Sequence, residues 1–189
     1  MVNNYLFLLL IILATFGSII IANSQKGNSP KDPIQSFYDI EFSSISGKNV
    51  KMEAYKGKNI LIVNVASECG LTHQYKDLEE LYQKFSDNLV ILAFPSNDFL
   101  RQESGSNQEI QQFCTTKYSI SFPLFEKSKV RGKKKNVVYD WLTSPDKNGW
   151  NKKGPSWNFT KYLIDENGKL LKRFSPRTSP MSNEITSRI

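Results

Sequence analysis

Past residue 35, the apolar positions of this chain follow first one spacing rule and then another. In "SFYDIEF" (36–42) and "NVKMEAY" (49–55), apolar and polar residues alternate around "SSISGK", which predicts a β-hairpin with a Gly-containing loop. "NILIVNVAS" (59–67) and "LVILAFP" (89–95) are continuously apolar instead, as strands covered on both faces are. Between them, Tyr75, Leu78, Leu81, Tyr82 and Phe85 recur at helical spacing and give "QYKDLEELYQKFS" one apolar face. A second helix is predicted from Ser106, where Ser106-x-x-Glu109 forms a capping box and Ile110, Phe113, Cys114 and Tyr118 line the inner side. "NVVYDWLTS" (136–144) reads as a third helix, with Val137 and Trp141, and Val138 and Leu142, paired at i, i+4. "FTKYLIDENGKLLKRFS" reads as a hairpin about the Asn167-Gly168 turn, and a short helix is expected within residues 182–189.

Strand, helix, strand in this order predicts a parallel pair joined by a right-handed crossover. With a terminal hairpin and helix added, the element order is that of a thioredoxin-type sheet. The expected fold is therefore α/β: a central mixed sheet flanked by helices, with an extra N-terminal β-hairpin.

The N-terminus obeys neither rule. Residues 1–24 carry no charged side chain, and Tyr5 to Ala22 is nearly continuous in Leu, Ile, Phe and Val. Two readings stay open: a signal peptide cleaved after the small-x-small pattern Ala22-Asn23-Ser24, or an uncleaved membrane anchor. Residues 25–34, with two prolines, read as a linker to one folded domain over 35–189. An exported (periplasmic or secreted) or membrane-anchored location is expected.

All 25 basic and 18 acidic residues follow position 24, so the net charge of +7 belongs to the soluble part. That excess favours acidic partners or anionic surfaces, but no nucleic-acid motif accompanies it, and nucleic acid is not an expected partner. Cys69 and Cys114 are too few to staple a scaffold and too far apart for a C-x-x-C pair. With His73 the only histidine, a Cys/His zinc site would have at most three ligands, so neither a metal nor another cofactor is expected.

Cys69 stands where a thioredoxin-type sheet does its chemistry, past the C-terminal end of a central strand and ahead of a helix. By itself such a cysteine is either a small apolar core residue or a nucleophile whose thiolate needs nearby N–H groups.

The surrounding motifs narrow the choice. "NVASECGLTHQY", "LAFPSNDFLRQE", "SGSNQEIQQFC", "FPLFEK" and "WNFTKYLIDENGKLLKRFSP", in this order, resemble the glutathione peroxidase family over about Gln35 to Ile189. The resemblance implies a peroxidase in which Cys69 reduces hydrogen peroxide and organic or lipid hydroperoxides. It implies a catalytic set of Cys69, Gln102 from "RQE", and Trp157 and Asn158 from "WNF". Neutral amide and indole N–H donors can hold a thiolate and polarise a peroxide without titrating. It also implies that Cys114 resolves the Cys69 sulfenic acid to a disulfide, recycled by a thioredoxin-like dithiol or by glutathione. If the two Cα atoms start farther apart than ~7 Å, this step requires the Cys114 helix to unwind in part.

The chain departs from the family pattern at Ser96, Asp98, Leu100 and Ser104. Leu100 is the sharpest change, because glycine before "RQE" permits a backbone turn that leucine resists, which bears on where Gln102 sits. The short connection "TSPDKNGWNKKGPS" resembles monomeric, phospholipid-hydroperoxide members, so a monomer is expected. Lys127, Lys129, Arg131, Lys133, Lys134 and Lys135 offer a surface for headgroups or an acidic reductant, or form a solvated loop. His73 reads as an exposed helix-start residue or an influence on Cys69. Asn158-Phe159-Thr160 is also a glycosylation sequon; a glycan there would block the site, so bacterial export fits better than a glycosylating route. Two further functions compete with peroxidase: a membrane-tethered redox sensor or binding module with slow turnover, and a disulfide reductase, which the lack of C-x-x-C disfavours.

Overall fold

The structure, a computed structural model, describes residues 30–189. The expected signal or anchor at 1–24 and the first half of the linker, 25–29, lie outside the described residues. Among the described residues, no helix is long and apolar enough to cross a membrane.

Two short strands, β1 (Glu41–Ser43) and β2 (Asn49–Lys51), pair antiparallel as the N-terminal hairpin. They are shorter than the alternation predicts, because Phe37–Asp39 and Met52–Tyr55 wind into 3-10 turns. Both stretches put apolar residues at i and i+3, Phe37 with Ile40 and Met52 with Tyr55, a spacing that one 3-10 turn brings to one side. Phe37, Ile40 and Met52 are thereby buried.

The main sheet has the order β4-β3-β5-β6, built from β3 (Asn59–Val65), β4 (Leu89–Pro95), β5 (Lys161–Ile164) and β6 (Leu170–Phe174). β3 and β4 run parallel, with Val65 opposite Pro95; β3–β5 and β5–β6 are antiparallel. Every residue of β3 and β4 is buried, as continuous apolar runs demand. The pleat sends Leu61, Val63 and Val65 to one apolar cluster and Ile60 and Ile62 to another on the opposite face.

Helices α1 (Gln74–Lys84) and α2 (Asn107–Tyr118) cover the first face, together with the terminal α5 (Asn183–Thr186). α3 (Val137–Leu142) covers the second, burying Val138, Trp141 and Leu142. Val137 is exposed, contrary to the pairing expected of it with Trp141. A single-turn helix, α4 (Pro145–Asn148), lies beyond the elements that the sequence pattern predicts; Pro145 begins it and Gly149, at φ +92°, ends it. The end of the linker is fastened to this turn by Ile34 and Gln35 N–H bonds to the Lys147 carbonyl.

The turn after β5 does need its glycine. Gly168 adopts φ +85°, and a Cβ there would stand 2.9 Å from the Tyr38 ring, whose hydroxyl donates to the Glu166 carbonyl at 2.8 Å.

Candidate active site

Where β3 ends, the chain enters a tight turn instead of a helix. The Thr72 hydroxyl donates to the Ala66 carbonyl (2.8 Å) and accepts from the Cys69 N–H (3.0 Å), so one side chain closes the loop on both sides of the cysteine. The Thr72 N–H returns a bond to the Cys69 carbonyl at 3.0 Å. The Leu71 N–H points at Cys69 Sγ from 3.4 Å, a donor of the kind that stabilises negative charge on sulfur. Cys69 is 8% exposed, close to buried yet reachable. α1 begins five residues later at Gln74, with His73 exposed at its start and bonded through Nδ1 to the Gly70 carbonyl.

Gln102 reaches this loop by a strained route. Leu100 and Arg101 both take left-handed backbone angles, φ +50° and +56°, inside a turn closed by the Gln102 N–H to the Phe99 carbonyl at 3.2 Å. Two central residues with positive φ usually call for Asn or Gly. Leu100 accepts the turn with its side chain 77% exposed, so the strain lies in the backbone and no packing relieves it. The turn nevertheless delivers Gln102: its carbonyl accepts the Glu68 N–H at 3.0 Å, beside Cys69. The Asn97 side chain accepts the Glu103 N–H at 3.0 Å and holds the loop shut.

Asn158 and Trp157 come from a second turn, which Asn64 of β3 pins in place. Asn64 Nδ2 donates to the Trp157 carbonyl (3.0 Å), and the Asn64 carbonyl accepts the Phe159 N–H (2.6 Å). Phe159 takes φ +64° to make that bend, and its ring packs edge-on to Tyr75. Asn158 Nδ2 then donates to Gln102 Oε1 at 3.0 Å, so the two amides are joined and the Gln102 amide nitrogen is left to act as a donor. Trp157 is half-buried against Phe99.

Cys69 and Trp157 open onto one cavity of about 550 Å³, walled also by Leu71, Ser156, Pro176 and Arg177. Gln102 and Asn158 are not among the residues that line it. Asn158 is fully buried, so its sequon is closed off in the folded chain. Cys114 does not line the cavity. It is a free thiol, buried inside α2, and burial pushes it up to about 11, with Glu103 adding to the rise and a Tyr75 contact opposing it.

Two residues that the motifs did not single out hold the site. Asn64 is the polar break in the buried strand β3. Lys161, at the start of β5, is fully buried and donates to Gln74 Oε1 (2.5 Å) and to the carbonyls of Pro176 (3.2 Å) and Thr178 (2.8 Å). Burial pushes its ammonium down to about 7, opposed by Asp77. A polar residue inside an otherwise apolar strand is the signal that could have found both.

A cysteine at the end of a central strand, on a mixed four-stranded sheet with an open cavity and joined amide donors, defines a thiol redox enzyme of thioredoxin-like fold. The comparisons narrow that class. The glutathione peroxidase family profile matches residues 37–143. The glutathione peroxidase-like peroxiredoxin 2 of Saccharomyces cerevisiae is 48% identical over 148 residues, covering 78% of this chain and 91% of its own length. The crystal structure of T. cruzi GPX1 superposes with a TM-score of 0.61 at 31% identity, covering 82% of this chain and 93% of that one. A thioredoxin family thiol:disulfide interchange protein from Chlorobium tepidum (TM-score 0.58, 15% identity, covering 85% and 95%) shares the fold. The chain belongs to the glutathione peroxidase family and is a thiol peroxidase that reduces hydroperoxides at the expense of a thiol reductant.

Proposed function

We propose that Cys69 is the attacking thiolate, with Gln102, Trp157 and Asn158 as its donors and Cys114 as the resolving cysteine. The observation that carries this reading is the pair of links Glu68 N–H to Gln102 carbonyl and Asn158 Nδ2 to Gln102 Oε1, both 3.0 Å, which draws the Gln102 and Asn158 turns onto the Cys69 turn. The Cys69 sulfur attacks the outer oxygen of ROOH; the O–O bond breaks, sulfur keeps OH as a sulfenic acid, and RO⁻ takes a proton to leave as ROH. The Leu71 N–H and the amide and indole donors stabilise charge along that path. Cys114 then loses its thiol proton and attacks the sulfenic sulfur, giving a disulfide and water. A thioredoxin-like dithiol returns both cysteines to thiols, with glutathione as the alternative reductant.

The cavity is open enough for a bulky hydroperoxide, and Arg177 on its wall favours one that carries an anionic group. Exposed Lys129, Lys133 and Lys134, flanking Arg131, which stacks over the Phe99 ring, support contact with an acidic reductant or an anionic membrane surface. The uncharged apolar residues 1–24 support export or membrane tethering, and the short connection after α3 supports a monomer. The test is rapid-mixing kinetics with hydrogen peroxide and a thioredoxin system. Cys69→Ser is expected to abolish peroxide consumption, and normal turnover in that variant would overturn the assignment.

A further inference from the structure

Glu103 follows Gln102 but turns the other way. It is 1% exposed, and its Oε2 has no hydrogen-bond partner among the described residues. Glu103 lines a second cavity of about 310 Å³, its carboxyl closed off from solvent behind the wall. On one side of it lie Ser67 and Glu68 of the Cys69 turn; on the other lie Ile110 and Phe113 of the first turns of α2. This cavity therefore separates the two cysteine-bearing segments, and Glu103 is the buried acid between them.

The groups that face Glu103 come from every neighbouring element. Ser67 and Glu68 belong to the loop after β3, Tyr75 to α1, Glu109 and Cys114 to α2, and Lys127 to the segment after Phe125. Lys127 is the cation among them, and its Nζ is committed to the Ser104 and Gly105 carbonyls. Glu68 adds like charge. Burial accordingly pushes Glu103 up to about 7, with the Ser67 groups and Lys127 offsetting only part of the rise.

We propose that Glu103 is a positioning residue that sets the timing of the second chemical step: protonated, it fits the cavity and keeps α2 wound over Cys114; ionised, it favours opening of the first turns of α2, so that Cys114 can reach the Cys69 sulfenic acid. The proposal rests on the reading that Cys114 resolves Cys69. Its sign follows from linkage. A carboxyl that titrates near 7 when closed and near ~4.5 once water enters binds its proton more tightly in the closed form. The closed form is therefore fully favoured below ~4.5, loses ground as pH rises toward ~7, and levels off above. Opening also frees Cys114 from the burial that suppresses its thiolate. Glu103 passes its proton to water, and the disulfide step itself still releases one water from thiol and sulfenic acid.

Hydrogen exchange of the α2 amides in the full-length, reduced protein tests this, with rates corrected for intrinsic pH dependence. Between about pH 5.5 and about pH 8, protection should fall about tenfold or more in the wild type and stay level in Glu103→Gln. A level wild-type profile, or the same fall in Glu103→Gln, overturns the proposal. A carbon-13 titration of the Glu103 carboxyl in the wild type does not depend on the variant's folding: a midpoint near ~7 supports the switch and one near ~4.5 overturns it. If α2 opens with pH as expected but no Cys69–Cys114 disulfide ever forms after peroxide, the resolving assignment fails and takes the role in timing with it.

Discussion

Cys69 rides on a turn tied to the sheet at several points: Thr72 spans its flanks, Glu68 is bonded to Gln102, and Gln102 to Asn158, while Asn64 fixes the Asn158 turn to β3. Cys114 sits in a helix of 12 residues that buries Ile110 and Cys114 and otherwise presents half-buried or exposed side chains. Its strongest local device is the capping box at Ser106, which holds the helix start and not the cysteine. α1, of similar length, buries Gln74, Tyr75, Leu78 and Leu81. The difference matches the chemistry proposed. A peroxide must meet a pre-set sulfur, since misplacement costs rate, whereas a resolving thiol has to travel, and a lightly anchored helix opens at lower free energy.

The comparison can be broken most forcefully on the mobile side. Cys114→Ser should leave the reaction with the first equivalent of peroxide at wild-type speed while removing nearly all turnover with a thioredoxin system; single-turnover and steady-state assays together read both. Next comes the fixed side, where Asn64→Ala frees the Trp157 turn. It should lower kcat/KM for peroxide about tenfold or more and destabilise the fold by ~1–3 kcal/mol, measured by kinetics and urea unfolding.

The two sides should also differ in their response to pH. Lys161 ties β5 to α1 and to the loop that walls the cavity, and it titrates near 7 when folded against an ordinary value near ~10.5. The unfolded chain therefore binds the extra proton between those limits, so Lys161 makes the fold gain stability as pH rises from ~7 to ~10. Glu103 acts in the opposite sense between ~4.5 and ~7. Urea midpoints across the upper window should climb in the wild type and lose that climb in Lys161→Met. The smallest expected effect is Leu100→Gly, which relieves one left-handed residue and should add about 1 kcal/mol to stability without moving Gln102. A loss of stability on that change would show that the turn is not strained.

Much of this arrangement was legible in the sequence, for identifiable reasons. The continuous runs at β3 and β4 and the helical spacing of Tyr75, Leu78 and Leu81 carry strong periodic signals, and the Ser106 capping box and the Asn167-Gly168 turn appear as read. The predicted N-terminal strands run longer than the observed ones because Tyr38, Ile40 and Phe42 alternate as a strand would, while Phe37 and Ile40, three apart, meet on one side of a 3-10 turn. α4 leaves no periodic signal, being a single helical turn, although Pro145 and Gly149 mark its ends. At the candidate site, motif order groups Cys69, Gln102, Trp157 and Asn158, but does not reveal what holds the segments that carry them. Asn64 and Lys161 act through hydrogen bonds to backbone atoms distant in sequence, which no local pattern encodes. Asp98, one of the departures from the family pattern, proves to accept the Val130 and Arg131 N–H groups at 2.8 and 3.1 Å, fixing the start of the basic loop.

The central claim is that a fixed Cys69 is oxidised and a mobile Cys114 comes to it. Mass spectrometry of the reduced full-length chain after one equivalent of hydrogen peroxide tests this most directly. The account predicts a product lighter by two hydrogens, with the Cys69 and Cys114 peptides joined by a disulfide. A product carrying one or more added oxygens on Cys69, with Cys114 still a free thiol, would contradict it.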